Sequence, residues 1–267
     1  SLIFMENAFD AVAQQYDDEF SFSAVGKAQR ASVWRHLNAI LPSKKLRVLE
    51  MNCGTGVDAS KFINLGHSIL LTDASKEMIA TATKKLEKEG LTNFSTCNWN
   101  LKDTFPLATT NYDLIFSNFG GWNCLSKDEL SQLAIQCEKL LSSQGKIVAV
   151  VMGRKCLWEK WYFRFKNKPD KQNRRLLATP SKASLDKFTK VDTWYYSPEE
   201  IEHIFSGFAV TKIKPIGFFI PPSYLNPFFG NKLFLLKILT VLDKLFSFSK
   251  LSNYADHFLI VLEKKNN

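Results

Sequence analysis

Residues 48–56 read VLEMNCGTG, and this stretch decides the fold class. Its first two residues are apolar and belong to a short predicted strand, and Glu50 places a carboxylate at the end of that strand. Gly54 and Gly56 then allow a tight turn into a helix. In an open parallel sheet, ligands bind beyond the carboxyl ends of the strands. The stretch therefore predicts an α/β protein with a ligand site at this turn.

Strand and helix signals alternate on both sides of the turn. Apolar or β-branched strands are predicted at 47–50, 68–72, 93–98, 112–118, 145–152, 208–214 and 258–263, and helices at 57–65 and 75–89. Ser126 and Ser197 each precede a glutamate by three residues, the capping-box signature of a helix start. Such alternation implies right-handed crossovers and a mostly parallel sheet that is covered by helices on both faces.

Asp73 is the second signal, at the end of the next predicted strand and 19 residues beyond Gly54. That spacing is typical of an acid that binds a ribose diol. Residues 54–59 also fit the G-x-G-x-x-A pattern of dinucleotide sites. However, the negative charges of a pyrophosphate at this turn would face the Glu50 carboxylate. A ligand with a sulfonium and an amino group would not bring negative charge to that position.

Residues 9–152 resemble the class I S-adenosylmethionine (SAM)-dependent methyltransferases, of the type that acts on small molecules. The first motif of that family is an acid followed by three glycines at alternate positions, and Glu50, Gly54 and Gly56 match it. Asn52 replaces the first glycine, a mild departure because asparagine tolerates the left-handed backbone better than other residues that carry a side chain.

The resemblance implies a Rossmann-like, mostly parallel seven-stranded sheet with an antiparallel last strand, with SAM as cofactor and S-adenosylhomocysteine (SAH) as product. The family's second acid matches Asp73, Asn100 would contact adenine, and Tyr16 lies in a stretch similar to the family's amino-terminal lid helix. The implied cofactor-binding residues are Tyr16, Glu50, Asn52, Gly54, Thr55, Gly56, Asp73, Ala74, Met78, Trp99, Asn100, Ser117, Asn118 and Phe119.

Two long insertions interrupt the later part of the chain. In the implied fold both join the sheet at the edge where the parallel strands end, so we expect them to form a substrate cap over the cofactor. The expected cap residues are Arg154, Trp158, Glu159, Phe219 and Tyr224. The expected order is amino-terminal helices and lid (1–45), SAM-binding core (46–152), basic aromatic insertion (153–196), core helix and strand (197–214), apolar insertion (215–256), and last strand and tail (257–267).

Charge and hydropathy differ between the insertions. The net charge is +9, and residues 154–190 hold twelve Lys or Arg against three acids, which accounts for the whole excess. Such a segment is either a solvated surface loop or a contact for an acidic partner. If residues 230–247 are helical, Lys237, Thr240 and Lys244 form one narrow polar stripe on an otherwise apolar helix. That helix would pack on the domain, line a hydrophobic tunnel, or contact a membrane surface or a second copy.

These features favour methylation, chiefly O-methylation, of a small or lipid-like acceptor with a carboxyl or phenol group. An acyl chain on an acidic carrier protein would also fit. His257, predicted at the active edge of the sheet, is the first candidate for a general base, and Tyr16 is a weaker one. A carboxylate acceptor would need no base.

Two other functions stay open: an RNA methyltransferase that uses residues 154–190, and a SAM-binding protein without methyl transfer. The hypothesis of an RNA methyltransferase is weakened because residues 118–121 lack the Asn/Asp-Pro-Pro-Tyr pattern of enzymes that methylate nucleic-acid amino groups. The chain has five cysteines without a C-x-x-C pair and four separated histidines, so we expect neither disulfides nor a metal site. With no signal-peptide pattern and no apolar run of ~18 residues, a cytoplasmic protein is expected. The sequence leaves the oligomeric state open.

Overall fold

The computed structural model describes residues 21–108, 111–184 and 190–265. Tyr16 and the stretch expected to form the cofactor lid lie outside the described residues. Within the described ranges, no helix is both long enough and apolar enough to cross a membrane.

One mixed sheet forms the centre of the molecule. The described strands are β1 (Arg47–Met51), β2 (Ser68–Asp73), β3 (Phe94–Asn98), β4 (Tyr112–Ser117), β5 (Leu141–Met152), β6 (Ser181–Ser184), β7 (Lys190–Thr193), β8 (Phe208–Ile216) and β9 (His257–Lys264). Seven of them join in the order β3-β2-β1-β4-β5-β9-β8, and β6 pairs with β7 in a separate two-stranded sheet. β1 to β5 pair in parallel, and β9 runs antiparallel to both β5 and β8. The predicted fold class is confirmed.

Helices cover both faces of this sheet. They are α1 (Ala24–Asn38), α2 (Val57–Asn64), α3 (Lys76–Lys88), α4 (Lys127–Leu140), α5 (Leu157–Phe165), α6 (Pro169–Gln172), α7 (Pro198–Ile204), α8 (Asn226–Phe229) and α9 (Leu233–Leu245). The predicted capping boxes are present, because Ser126 and Ser197 each bond the backbone of a glutamate that bonds back. These caps satisfy N–H groups at the starts of α4 and α7.

Alternating side chains on the strands build two cores. In β1, Val48 packs with residues of α1, α2 and α3, whereas Leu49 faces the cluster that contains Trp122 and Phe205. Trp122 and Phe205 stack with their ring centroids 4.6 Å apart. This period-two pattern is what a sheet buried on both faces requires. The carboxyl ends of β1, β2 and β4 thus stay fixed between two packed layers.

A buried ion network joins the two insertions. Arg175 donates to Asp256 Oδ1 at 2.7 Å and to Glu159 Oε2 at 2.9 Å, and it also donates to the carbonyls of Gly153 and Asp256. Arg174 adds a second contact to Glu159 at 2.7 Å. Burial alone would raise the pKa of the Glu159 carboxyl, but Arg175 and Arg174 hold it below its usual range. Arg175 and Asp256, which are 81 positions apart in the chain, are therefore held together by a direct ion pair.

Helix α9 lies within residues 230–247, for which the sequence predicts an apolar helix with one narrow polar stripe. Its buried polar residue is Asp243, only 1% exposed, which accepts backbone hydrogen bonds from Phe218 and Phe219 at 2.9 Å. Ser32 of α1 also donates to Asp243. Because these bonds hold the Asp243 side of the helix against the domain, apolar side chains such as Phe234 (78% exposed) face solvent. Lys237 and Lys244 of the expected stripe are exposed as well, so the helix packs on the domain along its Leu236 and Asp243 side and leaves much of its apolar surface uncovered.

Candidate active site

A pocket of about 200 Å³ lies at the carboxyl ends of β1, β2 and β4. The loops after these strands form one wall, and Arg30 of α1 and Val191 and Thr193 of β7 contribute to the rest. The lining includes eleven of the fourteen residues that the sequence singled out: Glu50, Asn52, Gly54, Thr55, Asp73, Ala74, Met78, Trp99, Asn100, Asn118 and Phe119.

Gly56 and Ser117 do not line the pocket. Gly56 is the N-cap of α2 with φ +77°, and a Cβ there would lie 3.0 Å from the Cβ of Ala82. The Ser117 hydroxyl bonds the side chain of Asn52 at 2.6 Å. Both residues therefore act on the site indirectly. Gly56 lets α2 and α3 approach each other, and Ser117 holds the loop that contains Asn52.

Asn52 adopts the left-handed backbone expected of it, with φ +49°. Its amide also joins two loops, because Nδ2 donates to the Asn118 carbonyl at 2.8 Å and Oδ1 accepts from Ser117. A glycine would keep the backbone conformation but not these bonds. Asparagine at this position thus fixes the β1 loop to the β4 loop.

The close approach of Gly121 to Asn52 gives a testable consequence. A Cβ at Gly121 would lie 2.1 Å from the Asn52 amide group. We expect Gly121→Ala to lower the free energy of unfolding by about 1–3 kcal/mol through overpacking. Asn52→Gly should restore much of that loss, because it removes the group that collides. Urea unfolding of both single variants and the double variant measures the coupling, and strictly additive effects would contradict this contact.

Asp73 is fixed at the end of β2 by its own chain. Oδ2 accepts from the Gly54 amide at 2.9 Å, and Oδ1 accepts from the Ser75 amide at 3.0 Å. Beside it, Met78 and Trp99 are almost fully buried and form an apolar part of the wall. A carboxylate next to an apolar slot suits a ribose that carries a flat base.

Two buried acceptors in the pocket wall receive no hydrogen bond from the described residues. They are Oε2 of Glu50 and Oδ1 of Asn118, and no described residue bonds either atom. Burial, and secondarily Asp58, raises the pKa of the Glu50 carboxyl well above its usual range, although Arg30 opposes the shift. Unsatisfied buried acceptors cost free energy unless a ligand donates to them. This part of the wall therefore suits a cationic, hydrogen-bond-donating group.

Arg30 and Asp58 are pocket residues that the sequence analysis did not identify. They form an ion pair, and Asp58 also accepts from Trp34 Nε1 at 2.6 Å and from Asn118 Nδ2 at 2.8 Å. These partners outweigh burial and lower the pKa of Asp58. The Arg30 guanidinium lies over the Phe119 ring, 5.2 Å from its centroid. A cation is thus held beside the two unsatisfied acceptors.

The comparisons with known proteins agree with this arrangement. Residues 48–145 match the family model described as a methyltransferase domain. This chain carries a class I methyltransferase domain. Over 111 residues the chain is 30% identical to the tRNA 5-carboxymethoxyuridine methyltransferase of Escherichia coli K12, a match that covers 40% of this chain and 42% of that protein.

Several solved structures share the fold of the methyltransferase domain. DhpI in complex with SAH aligns with a TM-score of 0.63 and 14% identity, over 100% of this chain and 98% of that one. CcbJ methyltransferase from Streptomyces caelestis gives 0.61 and 15%, over 96% of both chains. An S-adenosylmethionine dependent methyltransferase from Mesorhizobium loti gives 0.55 and 16%, over 86% of this chain and 97% of that one.

The cofactor of a class I methyltransferase domain is SAM, and the pocket fits it. SAM carries an ammonium group and a sulfonium, and the two unsatisfied acceptors of Glu50 and Asn118 need a donor and tolerate positive charge. Asp73 lies where the family places the ribose-binding acid, next to the apolar slot of Met78 and Trp99. The acceptors, the acid and the apolar slot of the pocket thus match the charge and polarity of SAM.

The raised pKa of Glu50 gives a pH-dependence prediction. A cationic ligand favours the ionised carboxylate, so binding below the raised pKa must expel a proton. SAH affinity should therefore fall as the pH is lowered through that range, by up to about tenfold per pH unit. Titration calorimetry across pH measures the slope. Glu50→Gln should flatten it and Glu87→Gln, on the exposed side of α3, should not. An unchanged slope in Glu50→Gln would contradict this assignment.

His257 lies next to the pocket but does not line it, and its role as a base stays a prediction. Its ring packs edge-on against Phe119 with centroids 5.3 Å apart, and its Nδ1 lies 3.2 Å from Asp256 Oδ2. Phe119 lines the pocket and His257 does not, because the first residue of β9 is already buried beneath that ring. His257 is therefore a packing neighbour of the site.

The five expected cap residues also lie outside the pocket lining, since each has other contacts. Arg154 pairs with Glu200, Trp158 donates to the Phe218 carbonyl, and Glu159 binds Arg174 and Arg175. Phe219 packs on Phe246, and Tyr224 packs on Tyr162 and Phe163. The basic insertion reaches the pocket instead through Val191 and Thr193 of its hairpin.

Proposed function

We propose that this protein transfers a methyl group from SAM to a carboxylate oxygen of a small or lipid-like acid. The proposal rests on one observation: none of the described side chains in the pocket is placed to remove a proton from the acceptor. A carboxylate is already ionised at neutral pH and needs no base, whereas a phenol or an amine must lose a proton.

The ionisable residues of the pocket have other roles: Lys102, for example, pairs with Glu129 at 2.9 Å, and burial raises the pKa of the Cys53 thiol. Asp58 is held by Arg30, and Asp73 is held by two backbone amides. Cys124 lines the pocket, but burial raises the pKa of its thiol to about 12, so it stays protonated. Glu50 lies beside Asn118 and Arg30, where the methionine part of SAM is expected.

In this proposal, different residues of the pocket bind different parts of SAM. Glu50 and Asn118 would accept hydrogen bonds from the ammonium of bound SAM, Arg30 would bind its carboxylate, and Asp73 would bind its ribose. Bound SAM would supply the methyl group for the acceptor oxygen, with SAH as the second product. The protein mainly aligns the reacting atoms, an effect that can lower the barrier by roughly 7–11 kcal/mol.

The rest of the lining favours an acceptor with an apolar body. Leu125, Met152 and Val191 line this part of the pocket together with Thr193 and Gly120. Apolar walls with few polar groups are typical of small-molecule sites. An aliphatic or aromatic acid would place its body here and keep its carboxylate toward the cofactor.

The test is SAH production with matched pairs of acceptors. Each acid of a panel of fatty and aromatic acids is compared with the corresponding alcohol or phenol, using the wild type and Asp73→Ala. We expect turnover with acids only, and we expect the product to release methanol in mild alkali, as a methyl ester does. Methylation of phenols in preference to acids would overturn the carboxylate assignment. SAH binding without turnover on any acceptor, tRNA included, would favour a protein that binds SAM without methyl transfer.

A tRNA acceptor is the second candidate. The matched relative from Escherichia coli is named for a carboxymethoxyuridine, which carries a carboxyl group on a nucleoside. Exposed lysines and arginines on residues 160–171 add a basic surface. The match spans 42% of that protein, so the likeness does not extend over its whole length.

RNA binding distinguishes the two candidates. A tRNA enzyme should bind tRNA with an affinity that falls steeply as salt rises, since counterions are released from the phosphates. Radiolabelled methyl transfer to unfractionated tRNA, compared with transfer to the acid panel, decides between them. Label in tRNA and none in free acids would establish the second candidate.

A further inference from the structure

Helix α9 presents an apolar face to solvent. Phe234, Ile238, Val241 and Leu245 follow a spacing of four, three and four residues, so they lie on one side of the helix. They are 78%, 42%, 54% and 65% exposed. A contiguous apolar face of this kind usually has a partner.

The charges around this face have one sign. Residues 215–256 contain two acids, Asp243 and Asp256, and both are buried. The lysines of the same segment are all exposed: Lys232, Lys237, Lys244 and Lys250. The face therefore combines hydrocarbon with positive charge that no acid of residues 215–256 faces, which is complementary to an anionic surface.

Helix α5, from the other insertion, has a similar outer face. Lys160, Trp161, Arg164 and Phe165 are exposed there, and the rings of Trp161 and Phe165 stack with centroids 6.1 Å apart. This helix packs against the α8–α9 region through Trp158 and Phe229, at 5.5 Å between centroids. Two neighbouring elements thus repeat the pattern of large apolar side chains among cations.

We infer that α9, together with α5, docks this protein on the surface of an anionic phospholipid membrane. At 13 residues α9 is about 20 Å long, which suits a helix lying along the headgroups with its apolar face in the acyl boundary. Tryptophan and phenylalanine beside lysine and arginine are typical of such interfacial helices.

The other occupants fit less well. In a symmetric contact with a second copy, Lys237 and Lys244 would approach the same lysines, and every acid of residues 215–256 is buried. RNA would use the cations, but bases stack on aromatic rings, and Ile238, Val241 and Leu245 are aliphatic. A hydrocarbon layer beneath anionic headgroups satisfies both parts of the surface.

Vesicle flotation of the whole protein tests the inference. The vesicles are phosphatidylcholine alone, or phosphatidylcholine mixed with phosphatidylglycerol. We expect binding to the anionic vesicles, at least tenfold weaker for Phe234→Ser/Val241→Ser and for Lys237→Glu/Lys244→Glu. The matched controls are Leu65→Ser/Ile135→Ser and Lys84→Glu/Lys88→Glu. They make the same kinds of change at exposed residues of the SAM-binding segment 46–152, outside both insertions. Both controls should bind like the wild type.

Each other outcome overturns the inference. Absence of wild-type binding to anionic vesicles does so directly, and so does equal loss of binding in the core controls. A dimer by light scattering that the α9 variants dissociate, without vesicle binding, would assign the face to a second copy. Salt-sensitive tRNA binding that the lysine variants abolish, without vesicle binding, would assign it to RNA. SAH binding by each variant confirms that it is folded, and none of these results depends on the proposed acceptor.

Discussion

Arg175→Met is expected to lower the free energy of unfolding by about 3–5 kcal/mol, the usual loss when one partner of a buried ion pair is removed. Arg175 is 5% exposed and is the cation between Asp256 and Glu159. Methionine fills much of the same volume, so the loss reports the two carboxylates that lose this partner rather than a cavity. Urea unfolding measures it, with Arg164→Met on the exposed side of α5 as the control.

The pH dependence of the same variant gives an independent check. In the wild type, Asp256 and Glu159 have pKa values held below their usual range, so their stabilisation is lost as the pH falls below about 4. Without Arg175, burial should raise the pKa of at least one of these carboxyls. The variant should then gain stability as the pH falls from about 7 to 5, where the wild type does not. Parallel pH profiles would contradict the role given to Arg175.

Asp73→Ala is expected to raise the dissociation constant of SAH about ten- to a hundredfold, as follows from losing charge-assisted hydrogen bonds that contribute about 1.5–3 kcal/mol. The carboxylate both orients the Gly54 amide and faces the pocket. Asp73→Asn, which keeps one acceptor oxygen, should lose less. Asp113→Ala removes an acid from β4 outside the pocket lining and serves as the control.

Titration calorimetry with SAH and NADH decides this prediction. Wild-type binding of SAH, and none of NADH, is expected. Preference for NADH would mean that the glycine turn serves a dinucleotide. Equal SAH affinity in Asp73→Ala and the wild type would remove Asp73 from the site, and a thermal unfolding curve for each variant separates lost contacts from lost structure.

The parts of the fold that could be predicted from the sequence are those set by local patterns. The β-branched strands, the capping boxes at Ser126 and Ser197, and the left-handed backbone at Asn52 each depend on residues close together in the chain. The spacing from Gly54 to Asp73 carries the same kind of information, because one strand–turn–helix unit separates them. Local chemistry was sufficient for these features.

Other parts depend on contacts between distant residues. Arg30 belongs to no motif, and only the packing of α1 places it over Phe119. His257 was predicted at the correct edge of the sheet, but the sequence could not show that Phe119 separates it from the pocket. The sequence left the packing of α9 open, and only the structure shows that the side carrying Asp243 is held against the domain while much of the apolar surface is exposed.

The network around Arg175 has a consequence for how the two insertions move. Because Arg175 binds residues 153 and 159 on one side and residue 256 on the other, local opening of either insertion must break the same buried contacts. Amide protons in α5 and in the loop before β9 are therefore expected to exchange with deuterium as one cooperative unit, with a common opening free energy. Opening of these two segments would then be a joint displacement rather than the fluctuation of a single flap.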